Sequence, residues 1–312
     1  MKIMNSNSKA HSESIRALFL SFLAYQTEAD IKILNTTRAL WPSACEEWAP
    51  VWEQLKPHFV SPFEVFSCGD YNNIGNTDTQ FVYAKMRRDC KGDCEGDYEG
   101  DYEDELIIAF RGTKTVRDVL TDVRVDKDKC TDICYTPLYL HEERESKTKS
   151  GVPMVHSGFH EMYGVMKYAL FDVVQRHLRD EKRPIRQITL TGHSLGGAVS
   201  ILATPCLLYG LNGLNGLNGL NGLRVSNITF GSPKVGNWDF SVLYNRLVEK
   251  HTVHAATHYF HNSDPVPCLP MLSGFYACNN AVQINSANES RFYSIRFHLI
   301  ECYLKHLNHQ MK

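Results

Sequence analysis

The run Ile188-Thr189-Leu190-Thr191-Gly192-His193-Ser194-Leu195-Gly196-Gly197-Ala198-Val199-Ser200-Ile201-Leu202-Ala203 decides the fold. Its first four residues are apolar or β-branched and read as a short strand. Its last seven are small or apolar and suit a tightly packed helix. Between them stands Gly192-x-Ser194-x-Gly196. Strand, G-x-S-x-G, helix is the nucleophile elbow, a sharp turn that lifts a serine hydroxyl above a sheet. The chemistry it implies is acyl transfer through a serine ester. With Gly and Ser each near 7% of ordinary residues, a chain this long gives roughly 0.1 chance pentapeptides. The strand and helix on either side lower that further.

Outward from the elbow, strands and helices alternate. Phe81–Ala84 and Leu106–Phe110 read as strands, residues 159 to 179 as an amphipathic helix, and the elbow helix runs to about Tyr209. Strands are expected at Val225–Phe230 and near Ala256–Phe260. This alternation specifies an α/β architecture: a central, mostly parallel sheet with helices on both faces. The 312 residues read as one domain over 1–312. Two low-complexity segments interrupt it. Residues 91 to 105 form a degenerate acidic repeat and residues 210 to 223 a perfect Gly-Leu-Asn repeat. Both read as inserted surface loops, because neither composition packs a core.

Composition excludes several classes. A net charge of −2 gives no footprint for nucleic acid. No apolar run is long enough to span a membrane. Ala17–Tyr25 is apolar and faintly like a signal peptide, but it follows a long polar segment, and a helix packed on the core is the better reading. The ten cysteines do not form a dense disulfide framework. A cytoplasmic product with mostly free thiols is expected, with secretion as the alternative.

Three metal-like patterns have simpler readings. The acidic repeat has Tyr98 where a calcium loop needs its turn glycine. His251, His254, His258 and His261 would share a face only on a continuous helix, and a strand there splits them. Cys90, Cys94, Cys130 and Cys134 flank polar loops. No metal or organic cofactor is expected.

A serine hydroxyl needs a histidine to take its proton and a carboxylate to fix that histidine. In the chain order Ser, Asp, His, the acid belongs after a later strand. Asp264, in Asn262-Ser263-Asp264-Pro265-Val266-Pro267, fits, with Asp239 the runner-up. His298, His306 and His309 remain downstream; His298, just before an apolar C-terminal helix, is the base, with His306 next. The oxyanion hole needs the N–H of Leu195 and one from an earlier strand-to-loop turn, where Phe110-Arg111-Gly112-Thr113 offers Thr113.

At these residues the chain resembles the class 3 lipases, the group of fungal triacylglycerol lipases and plant phospholipases A1. The matching pieces are Phe110–Thr113, Val155-His156-Ser157-Gly158-Phe159, Thr191–Gly197, Gly231-Ser232-Pro233-Lys234-Val235-Gly236, Asp264–Pro267, and the H-x-x-x-x-Y-L segment from His298 to Leu304. The resemblance implies an α/β-hydrolase fold, a Ser194–Asp264–His298 triad, and an oxyanion hole from Thr113 and Leu195. It also implies a lid over residues 115 to 123, where Val116, Val119, Leu120 and Val123 form one apolar face for lipid-surface contact. Fungal members carry tryptophan where this chain has Val119. The implied activity is hydrolysis of glycerolipid acyl esters, with triacylglycerol, phospholipid and small ester all open. The alternative from another class is a lipase-like protein that keeps the fold but works by binding partners.

Overall fold

The computed structural model describes residues 2–41, 46–68, 79–89, 102–112, 126–129, 151–215, 223–249, 254–271, 274–278, 280–285 and 292–309. Its centre is a seven-stranded sheet. In chain order the strands are β1 (Glu64–Cys68), β2 (Thr79–Asp89), β3 (Tyr102–Phe110), β6 (Ile185–His193), β7 (Arg224–Phe230), β8 (Ala255–Phe260) and β9 (Ala281–Gln283). They lie side by side in that same order. β1, β2 and β3 pair antiparallel, and every pairing from β3 onward is parallel. β4 (Lys127–Lys129) and β5 (Met154–His156) make a separate antiparallel ribbon.

Parallel neighbours need crossovers, and helices supply them. α4 (Ser157–Leu178) precedes β6, α5 (Leu195–Asn215) joins β6 to β7, and α6 (Trp238–Glu249) joins β7 to β8. Their apolar faces pack with Phe81, Tyr83, Leu106, Ile108 and Phe110 on one side of the sheet. The other side carries Val82, Ala84, Met86, Ile107 and Ala109 under α1 (Lys2–Leu23), α2 (Glu28–Thr37), α3 (Trp48–Leu55) and α7 (Ile300–His309). Successive residues of β2 and β3 therefore feed opposite cores, the period-two rule of a sheet covered on both faces. Ala17, Leu18, Phe19, Leu20 and Leu23 of α1 are fully buried, so the apolar N-terminal segment is core. Among the described residues no helix is long and apolar enough to cross a membrane.

Two segments read as low-complexity loop belong to regular elements. Residues 102–105, read as the end of an acidic loop, belong to β3. Glu105 is buried, accepting from Thr189 Oγ1 at 2.5 Å and Gln187 Nε2 at 3.1 Å, with Arg16 at 3.5 Å. A buried carboxylate with these partners is structural, and net acidity in the segment hid it. Residues 210–215, read as loop, continue α5, and Leu211 is fully buried. The repeat supplies a leucine at the next helical position, which extends the helix by more than a turn. The remainder of both repeats lies outside the described residues, as do the lid segment 115–123 and the Cys90, Cys94, Cys130 and Cys134 set. The five described cysteines, Cys68, Cys206, Cys268, Cys278 and Cys302, form no disulfide.

Candidate active site

Register aligns the carboxyl ends of the parallel strands. Phe110 lies opposite Gly192, His193 opposite Phe230, and Phe230 opposite Tyr259. The residues that follow each strand, Arg111-Gly112, Ser194, Gly231 and His261–Asp264, therefore gather at one edge, where open α/β sheets bind ligands.

Ser194 sits between β6 and α5 with φ 58°, the left-handed region that costs a non-glycine residue about 1–2 kcal/mol. Its own N–H donates to the Phe230 carbonyl at 2.9 Å. Strand and helix cross so closely that a Cβ on Gly192 would lie 2.3 Å from the Gly196 carbonyl carbon. One on Gly196 would lie 2.1 Å from the Phe110 oxygen. Held strain of this kind is characteristic of functional turns. Leu195 carries the first N–H of α5, which has no carbonyl of the preceding turn to bond and adds the positive end of the helix dipole.

His298 ends a 3-10 turn, Ile295–His298, separated from α7 by Leu299, and is fully buried. Its Nδ1 lies 2.7 Å from Asp264 Oδ2. A carboxylate only accepts, so Nδ1 carries the proton and Nε2 is left as the basic nitrogen. Asp264 is 1% exposed. Its Oδ1 accepts from Val266 N–H at 2.9 Å, and its Oδ2 also accepts from the Tyr303 hydroxyl at 2.7 Å. Burial, and then the Asp264 charge, push the Tyr303 hydroxyl well above its ordinary pKa, so it remains a donor. Gly231 is packed into this group with φ +59°; a Cβ there would stand 3.0 Å from both Asp264 Oδ2 and His298 Cε1. The structure thus joins Asp264 to His298 and sets both beside the Phe230–Gly231 turn that also holds Ser194. Ser194 Oγ and His298 Nε2 are buried and make no hydrogen bond, to each other or to other described atoms. Such a bond often closes only in the substrate complex.

Of the remaining sequence candidates, Thr113 lies outside the described residues. Asp239 is engaged elsewhere, accepting from the Gly151 N–H at 2.7 Å. His306 lies on α7, its Nδ1 donating to the Cys302 carbonyl at 2.8 Å. Of the histidine quartet, His251 lies outside the described residues; His258, on β8, has its Nδ1 2.9 Å from Thr229 Oγ1, whereas His261 follows β8.

Three residues at the site escaped the sequence reading. His193 Nε2 lies 2.7 Å from the His298 main-chain carbonyl, so it donates. Its Nδ1 then accepts from the Tyr25 hydroxyl at 2.8 Å. Burial, and then His298, hold the His193 pKa well below the usual imidazole value, so this ring stays neutral. Tyr25 Oη occupies the space beside Gly112, where a Cβ would lie 2.2 Å away. Tyr303 was legible only as part of the H-x-x-x-x-Y-L spacing. Tyr25, in the turn after α1, left no signal.

Comparison with known proteins agrees with the geometry. Residues 107–274, more than half of the chain, match the family described as lipase (class 3). The chloroplastic phospholipase A(1) DAD1 of Arabidopsis thaliana is 31% identical over 150 residues, covering 47% of this chain and 29% of that protein. Lipase ZK262.3 of Caenorhabditis elegans is 27% identical over 167 residues, covering 53% of this chain and 38% of that one. The chain thus spans less than two-fifths of either relative. A solved triacylglycerol lipase with a serine-protease triad superposes with TM-score 0.56 at 21% identity, covering 94% of this chain and 92% of that structure. The shared architecture is the α/β-hydrolase fold, and with its elbow and sheet-edge residues in the family's order the chain belongs to the class 3 lipases.

Proposed function

We propose that this chain hydrolyses carboxylic esters of acyl lipids by way of a serine acyl-enzyme. One observation carries the reading: the strained Ser194 at the elbow is held by the Phe230 carbonyl, next to the Gly231 that packs on a buried His298–Asp264 pair. His298 Nε2 takes the Ser194 hydroxyl proton as Oγ attacks the ester carbonyl. Asp264 stabilises the imidazolium that forms and holds its orientation. The Leu195 N–H binds the oxyanion, and the family resemblance assigns Thr113 as the second donor; one such donor contributes about 3–4 kcal/mol. The tetrahedral intermediate expels the alcohol, which takes the proton from His298. Water, deprotonated by the same nitrogen, then releases the fatty acid and frees Ser194.

The names of the matched relatives support two lipid classes, triacylglycerol and phospholipid. The test is hydrolysis of a short-chain p-nitrophenyl ester by wild type, Ser194→Ala and His298→Ala, read beside dispersed triacylglycerol and phosphatidylcholine. Each substitution should lower kcat by about 10⁴-fold or more, and the ratio of the two lipid rates names the substrate class. A folded wild type inactive on all three substrates would overturn the reading in favour of a partner-binding role for the fold.

A further inference from the structure

Among the described residues, one cluster of nitrogen and sulfur ligands stands apart from the Ser194–His298–Asp264 group. His261, Cys302 and His306 each offer one ligand atom, and these atoms lie within 4.8 Å of one another. Two elements build the cluster. His261 is the residue after β8, and Cys302 and His306 occupy one face of α7, four residues apart. The rings of His261 and His306 meet edge to face, with centroids 4.8 Å apart, and Cys302 Sγ lies 3.5 Å from His306 Nδ1. His261 is buried, while Cys302 and His306 are half-buried, so the cluster opens towards solvent on the helix side.

We propose that His261, Cys302 and His306 form a binding site for a thiophilic divalent cation of the zinc class. The donor set, two imidazoles and one thiolate, is the borderline-soft set that zinc selects. His306 has the supporting bond that metal-binding histidines carry, because its Nδ1–H donates to the Cys302 carbonyl; in the proposed site the ion binds through Nε2. On binding, the Cys302 thiol loses its proton to solvent and the sulfur bonds the metal; no electron is transferred. A water completes the four-coordinate shell.

The geometry also grades the site. Zinc–ligand bonds of about 2.0–2.3 Å put tetrahedral donors roughly 3.3–3.8 Å apart. The 4.8 Å spread therefore has to contract by about 1 Å, which the half-buried helix side chains can do. His261 Nδ1 accepts from the Ser263 N–H at 3.1 Å. An ion on Nδ1 displaces that bond, and an ion on Nε2 requires Nδ1 to carry the proton and so removes its acceptor. Either way loading costs a turn bond one residue before Asp264. The site is thus one that fills and empties with metal supply. It ties the loop bearing Asp264 to the helix that follows His298.

The test uses the full chain, stripped with a chelator and titrated with cobalt(II) as the optical probe for zinc. Wild type should bind one equivalent more than Cys302→Ser or His306→Gln, with a thiolate-to-cobalt charge-transfer band lost in the Cys302→Ser protein. Zinc at a hundredfold excess over its Kd should raise the wild-type thermal midpoint by roughly 5 °C, and neither variant's. Equal cobalt equivalents in the three proteins, zero included, would overturn the proposal. Should a variant fail to fold, zinc protection of Cys302 from alkylation in the wild type, read by peptide mass, decides instead: an unprotected Cys302 overturns it.

Discussion

Replacing Gly231 with alanine adds one methyl group at the point where three side chains of the site converge. The new Cβ would stand 2.8 Å from Tyr303 Oη, 3.0 Å from Asp264 Oδ2 and 3.0 Å from His298 Cε1. Carbon needs roughly 3.5 Å for an optimal contact. Each neighbour must therefore retreat by about half an ångström, and the alanine must also hold φ near +59°. The backbone term costs about 1–2 kcal/mol, which predicts a thermal midpoint lower by a few degrees. Activity should fall further than stability. Misplacement of reacting groups by about 1 Å can cost 10²-fold, so kcat/KM on a p-nitrophenyl ester should drop by about 10- to 100-fold. The assay is run well below the variant's own midpoint, with near-ultraviolet circular dichroism confirming the fold. A Gly231→Ala protein within threefold of wild type would refute the idea that Tyr303, Asp264 and His298 leave no room at this position.

Gly164, inside α4, is the contrasting case, because a Cβ there meets nothing within 4 Å. Gly164→Ala should stabilise the protein by about 0.5–1 kcal/mol without changing activity; a lower urea midpoint would count against the open space. Tyr25→Phe leaves His193 Nδ1 buried without its donor, costing about 1–3 kcal/mol of stability. The disturbance reaches the His298 main chain rather than the substrate, so kcat should fall with KM unchanged; a raised KM alone would contradict the relay. Burial lowers the His258 pKa from 6.5 to about 4. Above pH 6.5 neither folded nor unfolded chain binds this proton, and the stability it allows is complete. As pH falls from 6.5 to about 4 the unfolded chain protonates first, and about 3 kcal/mol is progressively lost. His193 acts in the same direction. Urea midpoints at pH 7 and pH 4.5 test this; an unchanged or higher midpoint at pH 4.5 would remove the argument.

The parts of the molecule governed by short-range pattern could be read from the chain. The elbow was legible because strand sterics, glycine at the crossing and a packed helix leave their marks within sixteen residues. Asp264 and His298 followed from order along the chain plus the loop and turn chemistry around them. What stayed hidden depends on contacts distant in sequence. Nothing near Tyr25 announces His193, 168 residues away, as its partner. Glu105 read as one more carboxylate of an acidic run, because its neighbours Thr189 and Gln187 come from another strand. The Gly-Leu-Asn repeat read as low complexity, although its first leucine falls in phase with α5.

The site draws its parts from both extremities of the described chain. Tyr25 leans on the elbow from the turn after α1, and Tyr303 on Asp264 from α7. Pairings of such wide sequence separation form late in folding, since the loops between them must close first. During synthesis Ser194 can reach its turn while the His298–Asp264–Tyr303 contacts are still unmade. Ester cleavage should therefore begin abruptly, once residues near 303 have docked. On the proposed mechanism, a nick that frees α1 or α7 should abolish ester cleavage while Ser194 keeps its turn.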